Sequence, residues 1–183
     1  MESIILSGKK ELDVYINPQR QNLLRCMRIA GVPLTPKAIA DRMGISASSA
    51  QHHIRKLAEI GVVELSHTGR VHGITAKYYR VSPRPVQIGA NGKDGLWDER
   101  LALLQSIHAR VFAGFSEYLE RETPGDGGPR GDMLSGVVRL GREEARELHA
   151  VIRAFLEARE KEGGEGEPWE YSLVAYPAAD GHE

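Results

Sequence analysis

The sequence predicts an α+β chain in two parts. A basic first half reads as helices followed by a β-hairpin, and an acidic second half as one long helix followed by a strand-helix-strand unit. Three observations carry the prediction. The first is the stretch Thr35–Leu57, TPKAIADRMGISASSAQHHIRKL, in which two runs of helical spacing flank Gly44. The second is the pair Val62–His67 and Ile74–Val81, β-branched and partly alternating, joined by Gly69-Arg70-Val71-His72-Gly73. The third is charge. Residues 1–90 hold 13 Lys/Arg against 6 Asp/Glu, a net of +7, whereas residues 91–183 hold 11 against 19, a net of −8. A basic half joined to an acidic half suggests a nucleic-acid module attached to something else.

Each element has a local reason. Ile4–Leu6 could be a short extended piece and Gly8–Ile16 a short helix or arm. Asn17-Pro18 starts a helix as N-cap and first helical residue, with Leu23, Leu24, Met27 and Cys26 inward and Gly31 ending it. Thr35-Pro36 repeats that start, Ile39, Ala40 and Met43 form a buried stripe, and Gly44 closes the helix. Ile45 plugs the core between helices, and Ser46 caps the next one, whose inward face is Ala50, Ile54 and Leu57. Helix, Gly-containing turn, helix is the helix-turn-helix pattern, and a hairpin directly behind it is a wing.

Ser82-Pro83-Arg84-Pro85 and the Gly-rich 89–95 segment read as a linker, dividing the chain into domains at 1–88 and 96–183. The long helix spans Leu96–Arg121, with Trp97, Leu101, Leu104, His108, Val111, Phe115 and Tyr118 at three- and four-residue steps. Leu103, Ile107, Phe112 and Leu119 widen its apolar surface. That width fits a dimer interface, or else an ordinary core helix. Thr123–Gly131 reads as a loop, Met133–Leu140 as a strand, Arg142–Lys161 as a helix, residues 162–168 as a second loop and Glu170–Tyr176 as a closing strand.

The exposed residues of the second turn-flanking helix suit DNA. Ser48, Ser49, Gln51, His52 and Arg55 would face the major groove, where Gln can pair with adenine and Arg with guanine, and Ser46 is a further DNA-binding candidate. Lys37, Arg42, Lys56, Arg70 and Lys77 would draw phosphates, and Arg70, His72 and Lys77 lie on the wing. His53 is expected to pack partly against the first helix. Within the recognition helix Gln51 and His52 carry the strongest expectation of base contact.

Several function classes are excluded or weakened. A lone cysteine, Cys26, allows no intramolecular disulfide. The histidines offer no clear ligand pair at helical spacing, so neither a metal nor any other cofactor is expected, a site shared between two chains being the open alternative. Asp94, Asp98, Glu99 and His108 form no nucleophile–base–orienter set, and Gly125–Gly128 lacks the flanks of a nucleotide loop, so no enzyme is expected. No signal peptide and no apolar run near the ~20 residues that span a bilayer point to a soluble, cytoplasmic protein without a membrane partner.

The chain resembles the ArsR-type winged helix-turn-helix regulators of bacteria and archaea. The resemblance rests on NPQRQNLLRCM as the start of the first core helix and on LTPKAIADRMGISASSAQHHIRKLAEIGVV as the motif leading into the wing. GITAKYYRV resembles the second wing strand of a subgroup with longer C-terminal regions, and VVRLGREEARELHAVIRAFLEAR with YSLVAYP resembles its tail. It covers residues 10–82 best. It implies a homodimer binding an operator with two-fold symmetry; a repressor is expected, with activation the open alternative. The paired cysteines of that family's metal sensors are missing here, which removes the thiolate sensing function. An unspecified small-molecule effector in the acidic region fits better. A winged-helix module that binds protein without specific DNA binding is the competing expectation.

Overall fold

Asn17 accepts a hydrogen bond at its side chain from the backbone N–H of Arg20, 3.2 Å, and Pro18 at the first helical position needs no partner. In the computed structural model, which describes residues 3–71, 73–88, 95–121, 131–159 and 166–178, this start opens α2, Pro18–Ala30. Before it lie β1, Ile4–Ile5, and α1, Lys9–Ile16. After it come α3, Pro36–Met43, and α4, Ala47–Glu59. Both begin as the sequence predicts: Thr35 Oγ1 accepts from Ala38 N at 3.2 Å, and Ser46 Oγ accepts from Ser49 N at 3.1 Å. Gly31 and Gly44 end α2 and α3 in the left-handed region, at φ 65° and 64°, where a side chain would be strained.

The helices converge on one core. Leu12, Leu23, Leu24, Ile39, Ile54 and Leu57 are fully enclosed, and Ala40 and Ala50 are buried where a larger residue would push crossing helices apart. Each enclosed Leu or Ile contributes about 1.5–3 kcal/mol of apolar burial. Cys26 is half-buried with a free thiol.

The wing is β2, Val63–Val71, paired antiparallel with β3, Ile74–Val81. The ladder runs further than the sequence predicts. Gly69, expected in the turn, pairs with Ala76, and the chain reverses only at Gly73, φ 80°. Gly69 leaves room for Tyr78: a Cβ there would lie 3.2 Å from its ring, which would have to shift by a few tenths of an ångström. A register shift between Leu65 and His67 marks a bulge. Leu34 and Tyr79 exchange backbone hydrogen bonds of 2.9 and 2.8 Å, which fastens the wing beside the start of α3.

A second, two-residue pairing was not legible beforehand. β1 runs parallel to β4, Val86–Gln87, with Ile4 opposite Val86 and Ile5 opposite Gln87. Gln87 Nε2 donates to Ser3 Oγ at 3.1 Å. The first and last ordered strands of the basic half therefore clasp each other.

The chain divides into two compact units, residues 1–100 with 138–168 and residues 101–137 with 169–183. The expected long helix is present as α5, Trp97–Arg121. In the second unit, His108 Nδ1 and Ser172 Oγ lie 3.2 Å apart, Arg110 Nε approaches Glu170 Oε1 at 3.8 Å, and Gly131 sits against Phe115 and Tyr118. The expected helix from Arg142 is α6, Arg142–Glu157, four residues shorter than the sequence suggests, with its Gly141 N–H donating to Glu144 at 2.6 Å.

The two strands expected around α6 do not form. Met133–Leu140 and Glu170–Tyr176 have no regular secondary structure, and neither pairs with any described segment. Alternating apolar residues favour a strand only when another edge supplies hydrogen bonds and covers one face. Here Leu134 and Val137 are 96% and 91% exposed, so nothing in the described chain supplies that face. The expected loops at 89–95, 123–131 and 162–168 fall largely outside the described residues.

Candidate nucleic-acid interface

α4 presents its polar residues on the side away from the core. Ser48, Gln51 and Arg55 follow at three and four residues, so they are neighbours along one exposed ridge. His52 borders that ridge and is also exposed, its Nδ1 3.4 Å from Arg55 Nη2. Ser46 does double duty as N-cap and as a partner 3.0 Å from Ser48 Oγ. Ser49 lies further round, half-buried, with its Oγ 3.5 Å from His53 Nε2.

A cleft of about 760 Å³ opens between this helix and the wing. It is lined by Ser48 and Gln51 of α4, by Val71, Ala76, Lys77 and Tyr78 of the wing, and by Thr35 to Ala38. Four of the expected DNA residues, Lys37, Ser48, Gln51 and Lys77, thus surround one concavity. Arg70 is exposed next to Val71, near the hairpin end. His72, also expected at the wing tip, lies outside the described residues.

The cations differ in what holds them. Lys37 Nζ is paired with Asp41 one turn on, and Lys56 Nζ lies 2.9 Å from Glu59. The hydrogen bond from Lys56 holds the Glu59 carboxyl below its usual range. Lys56 is half-buried and is not part of the cleft wall. Among the described residues, no ion pair or hydrogen bond engages Lys77, Arg70 or Arg42. Charge that is not already neutralised is free to meet phosphate.

Sequence reasoning missed the parts that brace this surface. Arg20 donates from Nε to the Val14 carbonyl and from Nη2 to that of Asp13 at 3.0 Å, while Gln21 Nε2 donates to Tyr15 O at 2.6 Å. Two side chains from the first turn of α2 thus satisfy carbonyls at the end of α1. Pro-x-Arg-Gln at a helix start was the available signal. His53 is partly buried as expected, and its Nδ1 has no partner among the described residues. Burial first, then the positive charges of Arg20 and His52, push its pKa below the ordinary 6.5. On the wing, Arg80 Nε donates to Glu64 Oε1 at 2.8 Å across the strands, and His67 stacks on Tyr78 with ring centres 4.5 Å apart.

Of the positions expected on the long helix, Trp97, Leu101, Leu104 and His108 are exposed, while Val111, Phe115 and Tyr118 are half-buried. Leu103, placed only at the margin of the stripe, is the residue of α5 most deeply buried, at 1% exposure. Among the described residues no three His, Cys, Asp or Glu side chains are grouped to hold a metal ion. No helix among them is long and apolar enough to cross a membrane.

The fold and this surface define a winged helix-turn-helix head. Residues 15–66 match the profile of a family described as "Helix-turn-helix domain". No curated protein sequence matches the chain. Among solved structures, a possible transcriptional regulator from Methanosarcina mazei Go1 is similar over 57% of this chain and 81% of its own, at 14% identity and TM-score 0.34. The adhesin competence repressor AdcR of Streptococcus pyogenes is similar over 81% of this chain and 83% of its own, at 13% identity and TM-score 0.34. The heme sensor protein PefR of Streptococcus agalactiae, in complex with heme, covers 81% and 79% at 16% identity and TM-score 0.32. Likenesses this distant carry no functional argument.

Proposed function

We propose that this chain is a sequence-specific, double-stranded-DNA-binding transcriptional regulator, cytoplasmic and without enzymatic activity. The observation that carries the reading is the ridge Ser48, Gln51 and Arg55 on α4, facing solvent beside a wing that bears unpaired cations. A major groove admits one α-helix, and such a ridge offers it hydrogen-bonding groups able to reach base edges. Lys37, Ser46, Ser49, His52 and Lys56 would complete the contact near the helix, with Arg70, His72 and Lys77 on the wing. The head is residues 1–88.

Within this reading the protein acts as a homodimer on an inverted repeat. Residues 96–183 supply the second copy's seat, and Trp97, Leu101 and Leu104 on α5, more than a third exposed, support it. Repression is the role that the resemblance to ArsR-type regulators favours, with a small-molecule effector acting on the acidic region. Selection of bound duplexes from a random pool tests the whole reading. An enriched inverted repeat with half-sites about one helical turn apart is the expected result. Recovery of no motif, with no salt-dependent binding to any duplex, would instead favour a winged-helix module that binds protein.

A further inference from the structure

Two segments of the acidic half have the composition of strands but no strand beside them. Residues 133–140 and 170–176 join no sheet among the described residues. Leu134, Val137, Val138, Leu173, Val174 and Tyr176 are all more than half exposed. Together the segments leave on the order of 1,000 Å² of apolar side chain in water, above the few hundred usual for a monomer and near the ~800 Å² that each partner gives to a stable interface. In the second segment Ser172 Oγ lies 3.2 Å from His108 Nδ1, and Glu170 Oε1 lies 3.8 Å from Arg110 Nε. These two residues turn to α5, whereas Tyr171 and Leu173 are exposed.

We propose that these segments pair antiparallel between two copies of the chain, 133–140 of one on 170–176 of the other, twice about a two-fold axis. This rests on the homodimer of the reading above. One register suits both segments. It sets Arg139 opposite Glu170, Val138 opposite Tyr171, Gly136 opposite Leu173 and Leu134 opposite Ala175. One face is then apolar throughout, and on the other the sole charge of each segment meets its opposite. A slip of one residue parts the charges and brings Ser172 into the apolar face. Within one chain, two strands joined through a helix such as α6 ordinarily run parallel. That would set Arg139 by Tyr176 and Glu170 by Met133, so the complementarity selects a second copy. Among the described residues no ion pair or hydrogen bond engages Arg139, and a carboxylate such as Glu170 has room to accept from a second guanidinium beside Arg110.

The test is cross-linking of the full-length protein in a Cys26→Ser background. The proposed register sets Ser135 opposite Val174, at a separation that a disulfide can span. One chain carrying Ser135→Cys and another carrying Val174→Cys, differently tagged and co-expressed, should join under mild oxidation. Ser135→Cys with Leu173→Cys, whose side chains would lie on opposite faces, should not. Equilibrium sedimentation gives a second readout. Arg139→Glu should raise the dimer dissociation constant about tenfold, because two like-charged pairs replace two complementary ones, while Arg139→Lys keeps the wild-type value. Absence of the link between positions 135 and 174 in a protein that still sediments as a dimer would overturn the proposal and leave the α5 seat standing. So would a Ser135→Cys/Val174→Cys double variant that closes its disulfide within a single chain, or an unchanged constant in Arg139→Glu. A wild-type protein that sediments as a monomer would remove the homodimer as well.

Discussion

Lys77→Ala tests the phosphate contact proposed for the wing. Lys77 stands exposed on β3 opposite Thr68, lines the cleft, and is engaged by no ion pair among the described residues. Its removal therefore costs no internal interaction, and the loss on DNA is the loss of released counterions. One contact contributes a factor of salt concentration to the power of about −0.9. That is about eightfold at ~0.1 M monovalent salt and about threefold at ~0.3 M. Lys56→Ala gives the contrast. Lys56 sits 2.9 Å from Glu59, so it must surrender that pair to reach a phosphate, and its removal is expected to weaken binding by a smaller factor. Fluorescence anisotropy of a labelled duplex at both salt concentrations reads the two variants directly. An equal loss at both salts for Lys77→Ala, or a larger loss for Lys56→Ala, would refute the ranking by prior pairing.

Three further outcomes are expected. Gln51→Ala should relax sequence preference at one base pair by about 1–3 kcal/mol, read by competition between single-base operator variants; equal weakening on random duplex would contradict a base-reading role. Ile54→Ala, at a position with 0% exposure, should destabilise the head by about 2–5 kcal/mol in urea unfolding, and a loss under ~1 kcal/mol would mean that α4 is not packed as described. For His53, whose pKa lies below 6.5 in the folded chain, the neutral form is favoured on folding. Its contribution is present above the unfolded value and is lost as pH falls through the lower folded one. Unfolding midpoints should therefore drop as pH falls below 6.5, and less so in His53→Gln; identical drops in both proteins would count against it.

The head was legible because its signals are local. Thr35 and Ser46 announce their helices, Gly31 and Gly44 end them, and Ile39, Ile54 and Leu57 recur with the period that one buried face demands. The ridge of Ser48, Gln51 and Arg55 followed from the same period. What was lost depends on distant partners. Two-residue strands such as β1 and β4 carry no periodicity, and nothing near Ile4 indicates that Val86 will lie beside it. Gly69 looked like a turn residue, yet it makes room for Tyr78, which is nine positions away. Met133–Leu140 and Glu170–Tyr176 have strand-like composition without an edge to join.

The clasp of β1 on β4 has a consequence for engineering. With Ile4–Ile5 held against Val86–Gln87, the two leads of the proposed head, residues 1–88, lie side by side on paired backbone. Segments whose two leads emerge side by side tolerate transplantation and rearranged termini. The head can thus be treated as a cassette: lifted out at both leads together, spliced into a host loop, or joined end to end and reopened elsewhere. A cut that spares residues 15–66 but drops either lead would retain α2 to α4 and forfeit the clasp.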